Sequence, residues 1–223
     1  MKFMAEDHAL VTAAVTEAER SSDGEIVTIV AEKSDSYHDV GLHYAVLAML
    51  LVPALFAFVP QSMLDWIGSF FLGWNESLSR ELLMLLLFVK LAAVFLIVRF
   101  ALAYMPLRMA LTPASTKNRR VRRRAIELFR VGAERRTHGR TGILLYLSLR
   151  EHRAEIVADE AIIGKVSADV WGEAMADLVT EVKAGHPGAG MAKAVARIGG
   201  VLTEHFPKSH SDQNELPDRL IEL

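Results

Sequence analysis

Two stretches, GLHYAVLAMLLVPALFAFVP (41–60) and LLMLLLFVKLAAVFLIVRFALAYM (82–105), decide how the rest of the chain is read. No charged residue lies between Asp39 and Asp65, and only Lys90 and Arg99 interrupt the second stretch. A hydrocarbon core about 30 Å thick is crossed by roughly 20 apolar residues in a helix, at about 1.5 Å rise per residue. Both stretches meet that length. As buried core helices they would need covering on every side, which a soluble chain of 223 residues is too short to supply. The reading is therefore a two-helix transmembrane hairpin over 39–106. A polar segment of about forty residues precedes the first apolar run, which is not the layout of a cleaved signal peptide.

The flanks orient the hairpin. The connection 61–81 carries one basic residue, Arg80, against Asp65, Glu76 and Glu81. After the second span comes KNRRVRRR, with Lys117, Arg119, Arg120, Arg122, Arg123 and Arg124. Positive residues stay on the cytoplasmic side, so both termini are expected in the cytoplasm and the protein in the cell (inner) membrane. The six basic residues are also expected to hold their helix against an anionic inner leaflet, at about 1 kcal/mol per charge, or, as a solvated face, simply to enforce the topology. In the connection, Trp66, Phe70, Phe71 and Trp74 among polar residues predict a short helix lying along the outer interface; an aromatic ligand box is the sharper alternative. Lys90 stands inside a span, where an ionisable group costs at least about 2.5–3.5 kcal/mol. With no acid in the first span to meet it, it is expected to snorkel along its stem or to contact a second subunit. Arg99, nearer the cytoplasmic end, is expected to reach lipid phosphates.

The net charge of −2 hides a polarised distribution, basic just after the second span and acidic in the tail. Basic residues beside a span argue for lipid and against nucleic acid as a partner. The absence of cysteine excludes disulfides and thiolate metal sites.

The remaining segments read as one α/β unit cut open by the hairpin. Leu10, Val11, Ala14, Val15 and Ala18 share a face of a helix over Ala5 to Arg20. The β-branched EIVTIVA (25–31) is a strand, and ILLYLSL (143–149) with AEIVA (154–158) predicts an antiparallel hairpin. Helices follow from spacing over 116–137, 168–182 and 190–205, with a turn over 139–142. From Lys208 onward the polar composition predicts a disordered tail. The expected layout is 1–38 as the first helix and strand, 39–106 as the hairpin, 107–207 as the remainder of the domain and 208–223 as the tail. The fold class is α/β, a small sheet with helices packed on it.

RTGILLYLSLREHRAEIVAD (140–159), Trp171 in its helix, GHPGAGMAKAVARIGGVL (185–202), the closing HFP (205–207) and the early SSDGEIVTIVAEKSDSY (21–37) together resemble the TPM-domain family. The resemblance covers most of the non-membrane portion. It implies a TPM-like α/β sandwich and a phosphatase-like label, while other members resemble accessory proteins of membrane complexes. Two features depart from the family's commoner layout. Here two spans interrupt the domain, and the charge pattern places it inside the cell rather than outside.

No phosphate-cradling glycine loop, HExxH or GxSxG is present. The candidate chemistry is an acidic cluster: Asp35 after the first strand, with Asp159 and Glu160 after the third, meeting at one edge of the sheet. Oxygen ligands of this kind suit Ca²⁺ or Mg²⁺, and the resemblance adds weight to Asp159. In the plainer reading Asp159 and Glu160 cap the following helical turn and Asp35 is solvated. The histidines at 38, 43, 138, 152 and 186 show no metal-ligand spacing. Two functions follow. One is a non-catalytic accessory or assembly factor for another membrane protein or for copies of itself; the other is a cation-dependent phosphatase at the inner leaflet.

Overall fold

The computed structural model describes residues 3–60, 62–63, 80–132, 141–209 and 216–223. These residues form eight helices and four strands. In chain order they are α1 (Ala5–Arg20), β1 (Glu25–Ala31), α2 (His38–Phe56), α3 (Arg80–Ala101), α4 (Met105–Leu111) and α5 (Ala114–Gly132). Then come β2 (Gly142–Ser148), β3 (Arg153–Ala158), α6 (Glu160–Ile163), α7 (Ala168–Lys183), α8 (Pro187–His205) and β4 (Ile221–Glu222). The chain divides into two compact units, one of residues 1–35 and 114–223, the other of 36–113.

The first unit holds a mixed sheet of order β3-β2-β1-β4. β1 runs parallel to β2 and β4, and β2 pairs antiparallel with β3. All seven residues of β1 and of β2 are buried, as expected of strands covered on both faces. On one face Ile26, Val30, Ile143, Leu145 and Leu147 meet Val11 and Val15 of α1, Leu178 of α7, and Met191, Ile198 and Leu202 of α8. On the other face Val27, Ile29, Leu144 and Tyr146 meet Val121, Ala125 and Phe129 of α5. Gly199 lets α1 and α8 approach: a Cβ there would lie 2.5 Å from that of Ala18.

The expected disordered tail is corrected at its end. Leu216 and Leu220 are buried, one in each core layer, and β4 adds to the edge of β1. Leu223 N–H donates to Val30 O at 2.9 Å, and Leu223 O accepts from Glu32 N–H at 3.1 Å. A few apolar residues in a polar context give too weak a periodicity to mark a strand whose partner is remote in sequence. The expected interfacial helix in 61–81, the end of the helix drawn to residue 137 and the start of the turn at 139 fall largely outside the described residues.

In the second unit α2 and α3 pack against each other, with Gly41 facing Leu102. At 19 and 22 residues, or about 28 and 33 Å at 1.5 Å per residue, both are long and apolar enough to cross a membrane. α3 has no buried residue, and Phe88, Ile97 and Phe100 stand exposed. A helix apolar all round calls for an apolar medium. At the base of this hairpin Tyr37 is fully buried against Val40 and Met109, with a left-handed φ of +52°. Arg108, 3 % exposed, ties this base together. Its Nε donates to Leu102 O at 2.7 Å, its Nη1 to Ser36 O at 2.6 Å and its Nη2 to Ala103 O at 3.0 Å.

Glu19, at the end of α1, is buried and accepts from Ile26 N–H at 2.8 Å. Burial, with the Glu25 and Asp218 carboxylates adding to it, pushes its carboxyl up to about 8 from an ordinary 4.5. Between those two values the folded state binds one more proton than the unfolded chain. Stability is therefore fully present below the lower value and is lost as pH rises through the upper one, by at most about 1.4 kcal/mol per pH unit. Glu19→Gln is expected to flatten this decline in urea titrations of the full chain across that window. An unchanged slope in the variant would refute the assignment.

Candidate functional site

β1 and β2 run parallel, so their carboxyl ends, Ala31 and Ser148, lie side by side. In sheets with parallel strands, ligands favour the region beyond such ends. Here that region gathers Ser34 and Asp35 after β1, Tyr146 and Ser148 of β2, Glu151 in the β2–β3 turn and Arg120 of α5. Glu151 is 5 % exposed. Its Oε1 accepts from Ser34 N–H at 2.8 Å and its Oε2 from the Ser148 hydroxyl at 2.5 Å. The Ser34 hydroxyl pairs with the Tyr146 hydroxyl at 3.0 Å. Tyr146 is fully enclosed, and burial raises its phenol above the usual value. Arg120 Nη1 holds Asp35 Oδ2 at 2.9 Å, with the guanidinium largely covered. At the surface, Arg150 donates to Glu32 and holds that carboxyl below its ordinary range.

Chemically the cluster is a set of filled bonds. A general base or a cation ligand needs lone pairs directed at a reactant. Glu151 spends its oxygens on a backbone amide and a serine, and Asp35 spends one on an arginine. A charge-assisted bond of this kind is stronger than a neutral one and stiffens the loop that makes it.

The expected meeting of Asp35, Asp159 and Glu160 is corrected. Asp159 and Glu160 follow β3, which runs antiparallel to β2 and so returns to the other end of the sheet, where Ala158 pairs with Ile143. Asp35 lies a strand length away, about 20 Å for six or seven residues at roughly 3.3 Å each. Asp159 is 8 % exposed, and its Oδ2 accepts from Gly142 N–H at 3.0 Å, closing the strand pair. It is also the N-terminal flanking residue of α6, whose first residue is the exposed Glu160. Among the described residues no three His, Asp or Glu side chains are placed to hold a metal ion. The antiparallel hairpin expected from the sequence does not by itself fix this separation; it follows only once β1 is seen to run parallel to β2.

The basic run opens α5, whose Val121, Ala125 and Phe129 face the sheet. Arg120 turns to Asp35, while Arg123 and Arg124 pair with Glu127 at 3.1 and 3.7 Å. Burial raises the Glu155 carboxyl above its ordinary value, and the exposed Arg122 offsets part of that rise. Lys117, half-buried, and Arg119, exposed, have no polar partner among the described residues. Lys90 in α3 places its ammonium 4.6 Å from the centre of the Phe56 ring. Helical side chains lean toward the helix N-terminus, and Phe56 ends α2, so the stem runs toward the Arg80 end of α3. A cation over an aromatic face is worth about 0.5–2 kcal/mol. Among the described residues the histidines do not converge: His43 Nδ1 meets Asp39 O, His38 lies beside Arg108, and His186 beside Glu181, while His138 lies outside the described residues.

Two residues were missed in the sequence. Glu151 stands in a charged turn, REHR, where nothing distinguishes a buried acid from its solvated neighbours. Arg108 carried a readable signal, as the lone charge in MPLRMAL between two prolines.

No family model matches the chain. No curated protein matches it either. Among solved structures it is similar to the NMR structure of BA42 protein from the psychrophilic bacterium Bizionia argentinensis, with a TM-score of 0.57 and 15% identity, covering 100% of this chain and 97% of that one. At that identity the likeness concerns the fold alone: a mixed α/β architecture with a small sheet.

Removing the Glu151 carboxylate strands a backbone amide and a hydroxyl in a buried place, at about 1–3 kcal/mol for each group. Glu151→Ala is expected to lower the melting temperature by several degrees, at roughly 2–4 °C per kcal/mol for a domain of this size. Millimolar Ca²⁺ or Mg²⁺ is expected to leave the wild-type melting temperature unchanged. A rise with either ion would reveal a cation site in the chain.

Proposed function

We propose that this chain is an integral membrane protein whose TPM-like α/β domain lies in the cytoplasm and works, without catalysis, as an accessory or assembly factor for another membrane protein or for copies of itself. The observation that carries the reading is the filled bonding of the acidic groups. Asp35, Glu151 and Asp159 each serve the fold, and the carboxylates a phosphatase would need together stand at opposite ends of the sheet. The two apolar helices supply the membrane anchor. Exposed Arg119 and half-buried Lys117 supply charge for an anionic leaflet, whereas Arg120 is spent on Asp35.

The chain lacks cysteine, so single introduced thiols report sidedness. A membrane-impermeant maleimide on intact spheroplasts is expected to label Ser62→Cys in the connection, and to label Ser209→Cys only after permeabilisation. Labelling of Ser209→Cys in intact cells reverses the orientation.

For the activity itself, detergent-purified protein is expected to release no more phosphate from a generic ester, with or without Mg²⁺ or Ca²⁺, than an Asp35→Ala, Asp159→Ala double variant does. Cation-dependent release above that variant would establish the phosphatase instead. Affinity capture from native membranes is expected to return a defined membrane protein in fixed ratio. Arg119→Glu with Lys117→Glu is expected to weaken binding to anionic vesicles and to leave neutral ones unaffected.

A further inference from the structure

At the open edge of the sheet, on the α7 face and at the end where β2 turns into β3 beside Glu151, the first unit carries a partly open cavity of about 340 Å³. Its walls are Leu147 of β2, Ala154 of β3, and Leu178, Val179 and Val182 of α7; His152, Arg153 and Lys183 complete the lining. The register explains the apolar floor. Ala154 pairs with Leu147, so both lie on the face covered by α7, and Arg153 alternates to the other face with Glu155. Arg153 still borders the space, its Nε buried without a hydrogen-bond partner, and the other polar side chains of the lining are His152 and Lys183. Lys183, the last residue of α7, is exposed and has no polar partner among the described residues. Among the described residues no carboxylate lines the cavity. His152 also lines the cavity, with a left-handed φ of +50°, a turn conformation in which Asn, Asp and His are enriched among non-glycine residues. An apolar well bordered by Arg153 and by the Lys183 ammonium is complementary to a molecule with an apolar tail and an anionic head.

We propose that this cavity binds a single-chain amphipathic anion, an alkyl chain bearing a carboxylate or a phosphate, with the tail against Leu147, Ala154, Leu178 and Val182 and the head at Lys183. The volume sets the size of the tail. At roughly 30 Å³ for a group the size of a water molecule, the space holds on the order of ten methylene-sized groups. That is the size of one short alkyl chain. The inference is independent of the accessory reading above, because it concerns the cavity alone. A chain with two membrane-length helices has such amphiphiles at hand.

The test is calorimetric titration of the full chain in nanodiscs of zwitterionic lipid with sodium alkyl carboxylates and alkyl phosphates of six to twelve carbons, as a graded series on the order of the cavity's length. Empty nanodiscs of the same lipid serve as the reference. Affinity is expected to tighten by about fourfold for each added methylene and then to level off once the chain fills the cavity. Both head groups binding alike would place recognition in the charge; one binding alone would name the source, a free carboxylic acid or a phosphate monoester. Lys183→Gln is expected to weaken every anion about tenfold and to leave the alkanol of the same length unchanged. Val182→Trp, which fills the well, is expected to abolish binding of both, with melting temperature monitored to confirm folding. Three results overturn the proposal: a chain-length dependence that continues as it does for empty nanodiscs, anion affinity indifferent to Lys183→Gln, or undiminished binding in a folded Val182→Trp variant.

Discussion

The parallel pairing of β1 with β2 constrains everything else in this protein. Seven residues of each strand are in register, from Glu25 against Gly142 to Ala31 against Ser148. A tight turn cannot join parallel neighbours; the chain must travel from the end of one to the start of the other. In this chain the crossover runs from residue 32 to residue 141 and contains both membrane-length helices as well as α5. The pairing thereby makes the hairpin an insertion in a domain rather than an appendage to one end. It also commits both faces of the two strands to burial, which α1, α7 and α8 supply on one side and α5 on the other.

The point where the crossover begins holds a buried polar cluster. Ser34, Asp35, Glu151, Ser148 and Tyr146 bond to one another or to Arg120, and the loop leaving β1 is held at several points before the chain enters α2. Buried polar networks are costly when incomplete and stiffening when complete. In the hairpin the same logic falls to Arg108, which meets three carbonyls at the base of the spans where a partner of opposite charge would otherwise be expected. Lys90 uses a softer device, an aromatic ring. The ionisable groups named here are thus drawn into holding an architecture together. The cavity beside α7 is different in kind, because its walls are apolar and the Lys183 ammonium at its mouth has no polar partner among the described residues.

Much of this was legible from residue order. Local patterns are set by a helix or strand's own period, so EIVTIVA, the apolar face of residues 5–20, the antiparallel pair 143–158 and the two apolar spans stand where their spacing put them. Helix α8 begins three residues earlier than its periodicity suggested, because Pro187 is well suited to a first helical turn. What did not follow from local pattern was anything joined across long separations. Asp35 and its arginine are 85 residues apart in sequence, and Ser34 and Glu151 are 117 apart. The strand formed by Ile221 and Glu222 owes its existence to the free edge of β1, which no property of the tail announces.

By itself, then, the order of residues determined the composition of the layers and the presence of two bilayer-length helices, because apolar periodicity and span length are properties of a segment alone. The tertiary structure decided which end of the sheet each acidic residue occupies. An antiparallel strand reverses direction, so Asp159 was carried away from Asp35 although both follow strands in the sequence. It also decided which charges are engaged and which are left over. Arg120 and Lys183 look alike as isolated cations, and only the packing around them gives one a carboxylate and leaves the other at the mouth of an apolar well.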